Sequence, residues 1–129
     1  MIVGVGVDMV EVERIRRLLD NPKIGGRFRD RVYTGKEIRY CENKGRGKYE
    51  SYAGRFAAKE AVMKVLGKGW GADVGWLDIE VLPAPGGKPQ VSLSEKTGAY
   101  AQGIGVQRLS LSITHTKDYA MAYAIGQND

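Results

Sequence analysis

Residues 51–67 read Ser51-Tyr-Ala-Gly-Arg-Phe-Ala-Ala-Lys-Glu-Ala-Val-Met-Lys-Val-Leu-Gly67. Alanine, leucine, methionine, lysine and glutamate favour a helix, and Gly67 suits the left-handed backbone that ends one. Wound at 3.6 residues per turn, the segment is apolar on nearly every side, which predicts a buried helix covered from several directions. Four ionic residues interrupt it: Arg55, Lys59, Glu60 and Lys64. A charge inside a protein is costly unless it is paired, hydrogen-bonded or bound to a ligand, so these four are the first site candidates.

The covering elements are read outward from this helix. Residues 2–7 alternate as a strand, with Val3, Val5 and Val7 expected on the packed face and Gly4, Gly6 and Asp8 on a face that leaves room. From Met9 to about Leu19, Val12, Ile15, Leu18 and Leu19 form one helical stripe while Arg14 and Arg17 turn outward. Asn21-Pro22 and Gly25-Gly26 interrupt the pattern. The basic stretch Arg27-Phe28-Arg29-Asp30-Arg31 leads to Thr34, an N-cap for a helix through about Asn43 with Glu37 at its third position. Gly45-Arg46-Gly47-Lys48 reads as a mobile loop.

After residue 67 the period changes. Leu77, Ile79 and Val81 alternate with Trp76, Asp78 and Glu80, and a turn-rich connection over 83–89 leads into a strand over Gln90–Leu93. Ser94 caps a helix to about Gln102. Two strand-like runs joined at Thr116-Lys117 make a hairpin. Leu109, Leu111, Ile113 and His115 share one face of its first strand, and Tyr119, Met121, Tyr123 and Ile125 share one face of its second. The sum is an α+β fold, one domain over residues 1–129, with a mainly antiparallel sheet and helices on one side.

Composition narrows the function classes. With 43% hydrophobic and 27% charged residues, the chain is of ordinary globular type. No stretch approaches the roughly 18 apolar residues of a membrane helix, and the start, Met1 to Val7, lacks the basic region of a signal peptide. Neither membrane nor export is expected. One cysteine, Cys41, permits no internal disulfide, fits a reducing cytoplasm and reads as a buried, idle thiol. Charge is lopsided, net +7 over residues 1–68 and −2 over 69–129, so the first half should face an acidic partner: nucleic acid, an acidic protein or a polyphosphate cofactor.

The titratable candidates carry two readings each. Asp8 stands on the glycine face of the first strand, where it can reach a ligand, and with Glu11 it also resembles a capping box. Glu60 can pair with Lys64 at i, i+4, worth about 0.3–0.5 kcal/mol if exposed. A buried Glu60 near Asp8 would instead give two hard oxygen ligands suited to Mg²⁺, whose octahedron is typically filled by water and phosphate oxygens. Lys59, Lys64 and Arg55 can then hold further phosphate oxygens, or simply be solvated. His115, the single histidine, is either structural or a hydrogen-bonding contact to a ligand. No second histidine or cysteine lies at zinc spacing, no G-x-S-x-G elbow is present, and Met9 breaks the G-x-G-x-x-G pattern.

Three ordered pieces, Gly6-Val-Asp8 with Glu11 and Arg14, Gly54-Arg-Phe-Ala-Ala-Lys-Glu-Ala61 with Lys64 and Gly67, and Ser112-Ile-Thr-His115, together resemble the signatures of the holo-[acyl-carrier-protein] synthases. These are short members of the 4'-phosphopantetheinyl transferase superfamily, and the likeness, with the Gly87-Lys-Pro89 turn, spans the whole chain. The resemblance implies the 4'-phosphopantetheinyl transferase fold and a homotrimer with sites between subunits. It implies Asp8 and Glu60 as ligands of Mg²⁺, with Mn²⁺ possible, and Arg55, Lys64, Gly67 and His115 as contacts to coenzyme A. It also implies that Arg14, Leu18, Arg27, Phe28 and Arg31 meet an acidic acyl carrier protein, which suits their basic and partly apolar character.

The implied reaction is attack by a carrier serine on the coenzyme A phosphate that bears pantetheine, supporting fatty acid biosynthesis, with Glu60, Asp8 and Lys64 as the catalytic set. Glu60 would accept the serine proton directly or through a metal-held water; Lys64 would bind phosphate, assist the leaving group, or both. The segments 20–26 and 43–48 match no part of the pattern. Two other classes remain at this point: a basic nucleic-acid-binding module, prompted by Phe28, Tyr33 and Tyr40 among the cations, and a trimeric scaffold that binds carrier protein without catalysis.

Overall fold

The computed structural model describes residues 1–67 and 74–129. In chain order the elements are β1 (Ile2–Glu11), α1 (Val12–Asp20), α2 (Gly25–Val32), α3 (Gly35–Glu42), α4 (Lys48–Leu66), β2 (Ile79–Pro83), β3 (Pro89–Leu93), α5 (Glu95–Gly103), β4 (Arg108–His115) and β5 (Tyr119–Gln127). Short 3₁₀ turns at Gly45–Gly47 and Trp76–Asp78 precede α4 and β2. One antiparallel sheet has the order β1-β5-β4 and a second pairs β2 with β3. The α+β expectation holds.

The long apolar helix α4 is buried as its sequence requires: Ala53, Ala57, Ala58, Ala61 and Val62 have no exposed surface. It ends at Gly67, whose φ of 76° is the left-handed conformation expected of a C-terminal glycine. The sheet meets it through small residues. Ala122 pairs with Asp8 on one side and Ile113 on the other, and Ala120 and Ala124 continue the row. All three alanines are buried. A Cβ on Gly6 would overlap the backbone carbonyl of Ala61, so here glycine is required by close approach. Gly6→Ala should therefore cost about 1–3 kcal/mol by overpacking and lower the thermal midpoint by roughly 4–15 °C. Circular dichroism melting checks it, and an unchanged midpoint would contradict this packing.

That arrangement reverses one expectation. The glycine face of β1 packs, and the valine face does not: Val5 is 54% and Met9 58% exposed. In register beside them, Tyr119, Met121 and Tyr123 of β5 are also exposed. Small residues win the contact because a helix can approach a sheet more closely over glycine and alanine than over valine, leaving the larger side chains outside.

Other differences have local causes. β1 runs on to Glu11 because Met9, Val10 and Glu11 pair with Met121, Ala120 and Tyr119. Asp8 therefore lies within the strand and cannot cap α1, whose N-cap Glu11 makes no side-chain cap bond. The glycines at 25 and 26 open α2 instead of breaking the chain; a Cβ on Gly25 would overlap the carbonyl of Leu19, so the turn from α1 needs a residue without one. The expected mobile loop at 45–48 is a 3₁₀ turn entering α4. At Trp76–Asp78 another 3₁₀ turn changes the phase, which buries Trp76 and leaves Leu77 exposed.

Caps and hairpins appear where the sequence places them. Thr34 and Glu37 form a full capping box on α3, Ser94 accepts from Thr97 N–H at the start of α5, and β4 and β5 form the expected hairpin. Cys41 is buried, accepts a hydrogen bond from Ser51 Oγ at 3.3 Å, and burial pushes its thiol up to about 11, leaving it inert near neutral pH.

Candidate functional site

Asp8 reaches from β1 toward α4, on the side where Gly6 lets the helix come close. Lys64 Nζ lies 3.3 Å from Asp8 Oδ1 and donates to the Val7 carbonyl at 2.8 Å. The i, i+4 partner expected for Lys64 was Glu60, but the ammonium turns to Asp8. Glu60, one turn earlier on α4, is half-buried. Burial and then the Asp8 charge raise its pKa above the usual carboxylate value, with Lys64 and Arg14 opposing. A partly desolvated acid whose ionised form is disfavoured by burial and by a neighbouring carboxylate marks a site to which a cation would bind favourably. Among the described residues no group of three or more potential metal-ligating side chains occurs, so hard oxygen donors from two carboxylates are what this centre offers.

Glu60 also belongs to a cleft of about 480 Å³ lined by Arg14, Leu18, Ile24, Arg27, Phe28, Arg31, Val32, Phe56 and Trp76. The residues Arg14, Leu18, Arg27, Phe28 and Arg31, drawn from two helices, thus share one wall system with Glu60. The floor is aromatic. Phe56 stacks on Trp76 with centroids 5.0 Å apart, Phe28 lies 6.4 Å from Phe56, and the Arg14 guanidinium stands 5.9 Å above the Phe56 ring. Charge sits on the rim and apolar surface below it.

Three other site candidates lie elsewhere on this chain. Arg55 is buried, with its guanidinium 4.3 Å over the Tyr40 ring and its Nε without a hydrogen-bond partner among the described residues. Gly67 follows Lys64 by about one turn and ends α4. His115 is exposed at the end of β4. Ile113 shares a row with Ala122 and Asp8, so His115, two residues further along β4, stands roughly 12 Å from Asp8 by strand spacing.

Lys59 does not serve the phosphate role allowed by the sequence. Its ammonium has no exposed surface and lies 2.7 Å from Glu37 Oε1. It also donates to the carbonyls of Val32 at 2.6 Å and Trp76 at 2.9 Å. Burial lowers its pKa and Glu37 opposes that shift.

This geometry, two carboxylates and a lysine beside a cationic cleft, accords with phosphoryl chemistry, and the comparisons decide the family. A family model described as the 4'-phosphopantetheinyl transferase superfamily matches residues 4–124. The chain belongs to that superfamily. It is therefore a transferase of the 4'-phosphopantetheinyl group. It is 48% identical over 128 residues to a holo-[acyl-carrier-protein] synthase of Solibacter usitatus, covering 99% of this chain and all of the relative. A Ruminiclostridium cellulolyticum protein of the same name is 46% identical, with 93% and 88% covered. Among solved structures, the Neisseria meningitidis holo-[acyl-carrier-protein] synthase superposes with a TM-score of 0.88 at 32% identity, covering 98% and 99% of the two chains. The Bacillus anthracis synthase, solved in complex with CoA (3',5'-ADP), gives 0.81 at 37% identity, covering 100% and 99%.

Among the residues lining this cleft, sequence reasoning overlooked Phe56 and Trp76. Phe56 had a signal, standing one helical turn before Glu60 on the same face of α4. Trp76 had none, because the 3₁₀ turn that points it inward is invisible to a period-two reading.

Proposed function

We propose that this chain transfers the 4'-phosphopantetheine arm of coenzyme A to a serine of an apo acyl carrier protein, releasing adenosine 3',5'-bisphosphate. The observation that carries the reading is the Asp8–Glu60 pair, with Lys64 on Asp8, opening onto a cleft rimmed by Arg14, Arg27 and Arg31. Synthases of Bacillus anthracis and Helicobacter pylori have been solved with coenzyme A bound, which supports it as the donor here. A nucleic-acid module gives no role to the acid pair, and a scaffold without catalysis gives none to Glu60.

Asp8 and Glu60 hold Mg²⁺, or Mn²⁺, and the ion when bound offsets negative charge on the diphosphate. Glu60, whose environment already raises its affinity for a proton, accepts the proton of the serine hydroxyl as the serine oxygen bonds to phosphorus. The bond from that phosphorus to the oxygen of the departing adenosine bisphosphate breaks, and Lys64 stands where it can stabilise the phosphate charge. Arg14, Arg27 and Arg31 bind the acidic carrier, with Leu18 and Phe28 as apolar contacts. Release of adenosine 3',5'-bisphosphate should require coenzyme A, apo carrier and divalent metal together. Nucleotide release without any carrier would contradict the reading.

The active assembly is a homotrimer, and residues 1–129 act as one transferase domain in it. The exposed apolar face of the sheet, Val3, Val5, Val7 and Met9 beside Tyr119, Met121 and Tyr123, favours burial against other copies of the chain. In such an assembly Arg55, Gly67 and His115 contact coenzyme A, with His115 serving a neighbour's Asp8 and Glu60. We place the protein in the cytoplasm, where its single free thiol stays reduced. Among the described residues no helix is long and apolar enough to cross a membrane.

Glu60 gives a stability test of the metal site. Its pKa is raised in the fold, so its favourable contribution is fully present below the unfolded value and is lost as pH rises through the folded one. At pH 7–8 without divalent metal, Glu60→Gln should therefore raise the thermal midpoint, and the difference should vanish in acid. Mg²⁺ should raise the midpoint of the native chain and not of the variant. Equal responses to Mg²⁺ would remove Glu60 from the metal site.

A further inference from the structure

Lys59 adjoins Glu60 in sequence, yet its ammonium has no exposed surface and uses its three N–H groups on Glu37, Val32 O and Trp76 O. Glu37 is equally occupied: its Oε1 also accepts from Thr34 N–H at 2.8 Å and its Oε2 from Val81 N–H at 2.7 Å. Both side chains have no exposed surface, so neither can touch a substrate. A buried ion pair is weak evidence for stability, since apolar residues of similar volume often serve as well. An apolar side chain cannot, however, grip two backbone carbonyls.

Those carbonyls belong to two walls of the cleft. Val32 ends α2, where the last carbonyls lack partners within the helix and attract a cation, and α2 carries Arg27, Phe28 and Arg31. Trp76 stacks on Phe56, which in turn lies under Arg14. Lys59 therefore ties both walls to the helix that bears Glu60. We propose that Lys59, held by Glu37, is a positioning residue for the carrier protein, keeping the α2 and Trp76 walls in register with Glu60. The inference rests on the carrier-binding reading of that cleft.

The test uses Lys59→Met and the double variant Lys59→Met/Glu37→Gln, the second removing the uncompensated carboxylate so that the chain folds. Steady-state transfer is measured while coenzyme A and apo carrier are varied separately. In the folded double variant, KM for the carrier should rise at least about tenfold, while KM for coenzyme A stays within about twofold of the native chain. Hydrogen exchange of the amides in residues 28–33 should accelerate as the α2 end loses its anchor. A double variant with native KM for the carrier overturns the inference, as does an equal rise in both KM values, which would mark a merely structural pair. A native chain that moves no group at all overturns the transferase reading itself, so the two failures are distinguishable.

Discussion

Asp8→Ala and Glu60→Ala should each lower kcat/KM for phosphopantetheine transfer by at least about a hundredfold with the fold intact, the scale seen when a charge-stabilising group is removed from a reacting centre. Neither side chain supports the core: among the described residues Asp8 pairs with the half-exposed Lys64, and burial together with the Asp8 charge disfavours the ionised form of Glu60. Removal of Asp8 should leave the thermal midpoint near the native value, and removal of Glu60 should not lower it. Carrier binding should survive too, because Arg14, Arg27 and Arg31 remain. Retained turnover in both variants, measured at saturating metal, would place the chemistry elsewhere.

The second large effect concerns stability. Glu37→Ala leaves the Lys59 ammonium buried without its counter-charge and strips acceptors from Thr34 N–H and Val81 N–H. Breaking one side of such a pair costs about 3–5 kcal/mol, a large part of the roughly 5–15 kcal/mol that holds a domain of this kind together. The urea midpoint should fall accordingly, while the double variant Lys59→Met/Glu37→Gln should recover much of the loss. A penalty below about 1 kcal/mol for Glu37→Ala would mean that water reaches the ammonium.

What the sequence made legible was local. The helix over 51–67, its terminal glycine, the Thr34–Glu37 capping box, the Ser94 cap and the final hairpin all depend on residues within a few positions of one another, and each stands where its signal placed it. Asp8 and Glu60 each carried an ordinary reading, a capping box and an i, i+4 pair, beside the functional one that a carboxylate on a glycine face and another inside an apolar helix also allow. Whatever depended on how two elements approach was not legible. Valine and glycine faces of β1 exchange roles because α4 packs through alanine and glycine, a choice set by the partner helix and the trimer proposed above. Lys59 looked like a phosphate ligand until Glu37, Val32 and Trp76 came within its reach. His115 and Arg55, separate from Asp8 in one chain, cannot be related to it by any periodicity.

The central claim is tested most directly by the intact mass of an apo acyl carrier protein after incubation with the purified chain, coenzyme A and Mg²⁺, with a chelator-treated reaction in parallel. The account predicts a gain of one phosphopantetheine on the carrier serine that the chelator abolishes. An unchanged mass across a panel of well-folded apo carriers would contradict it.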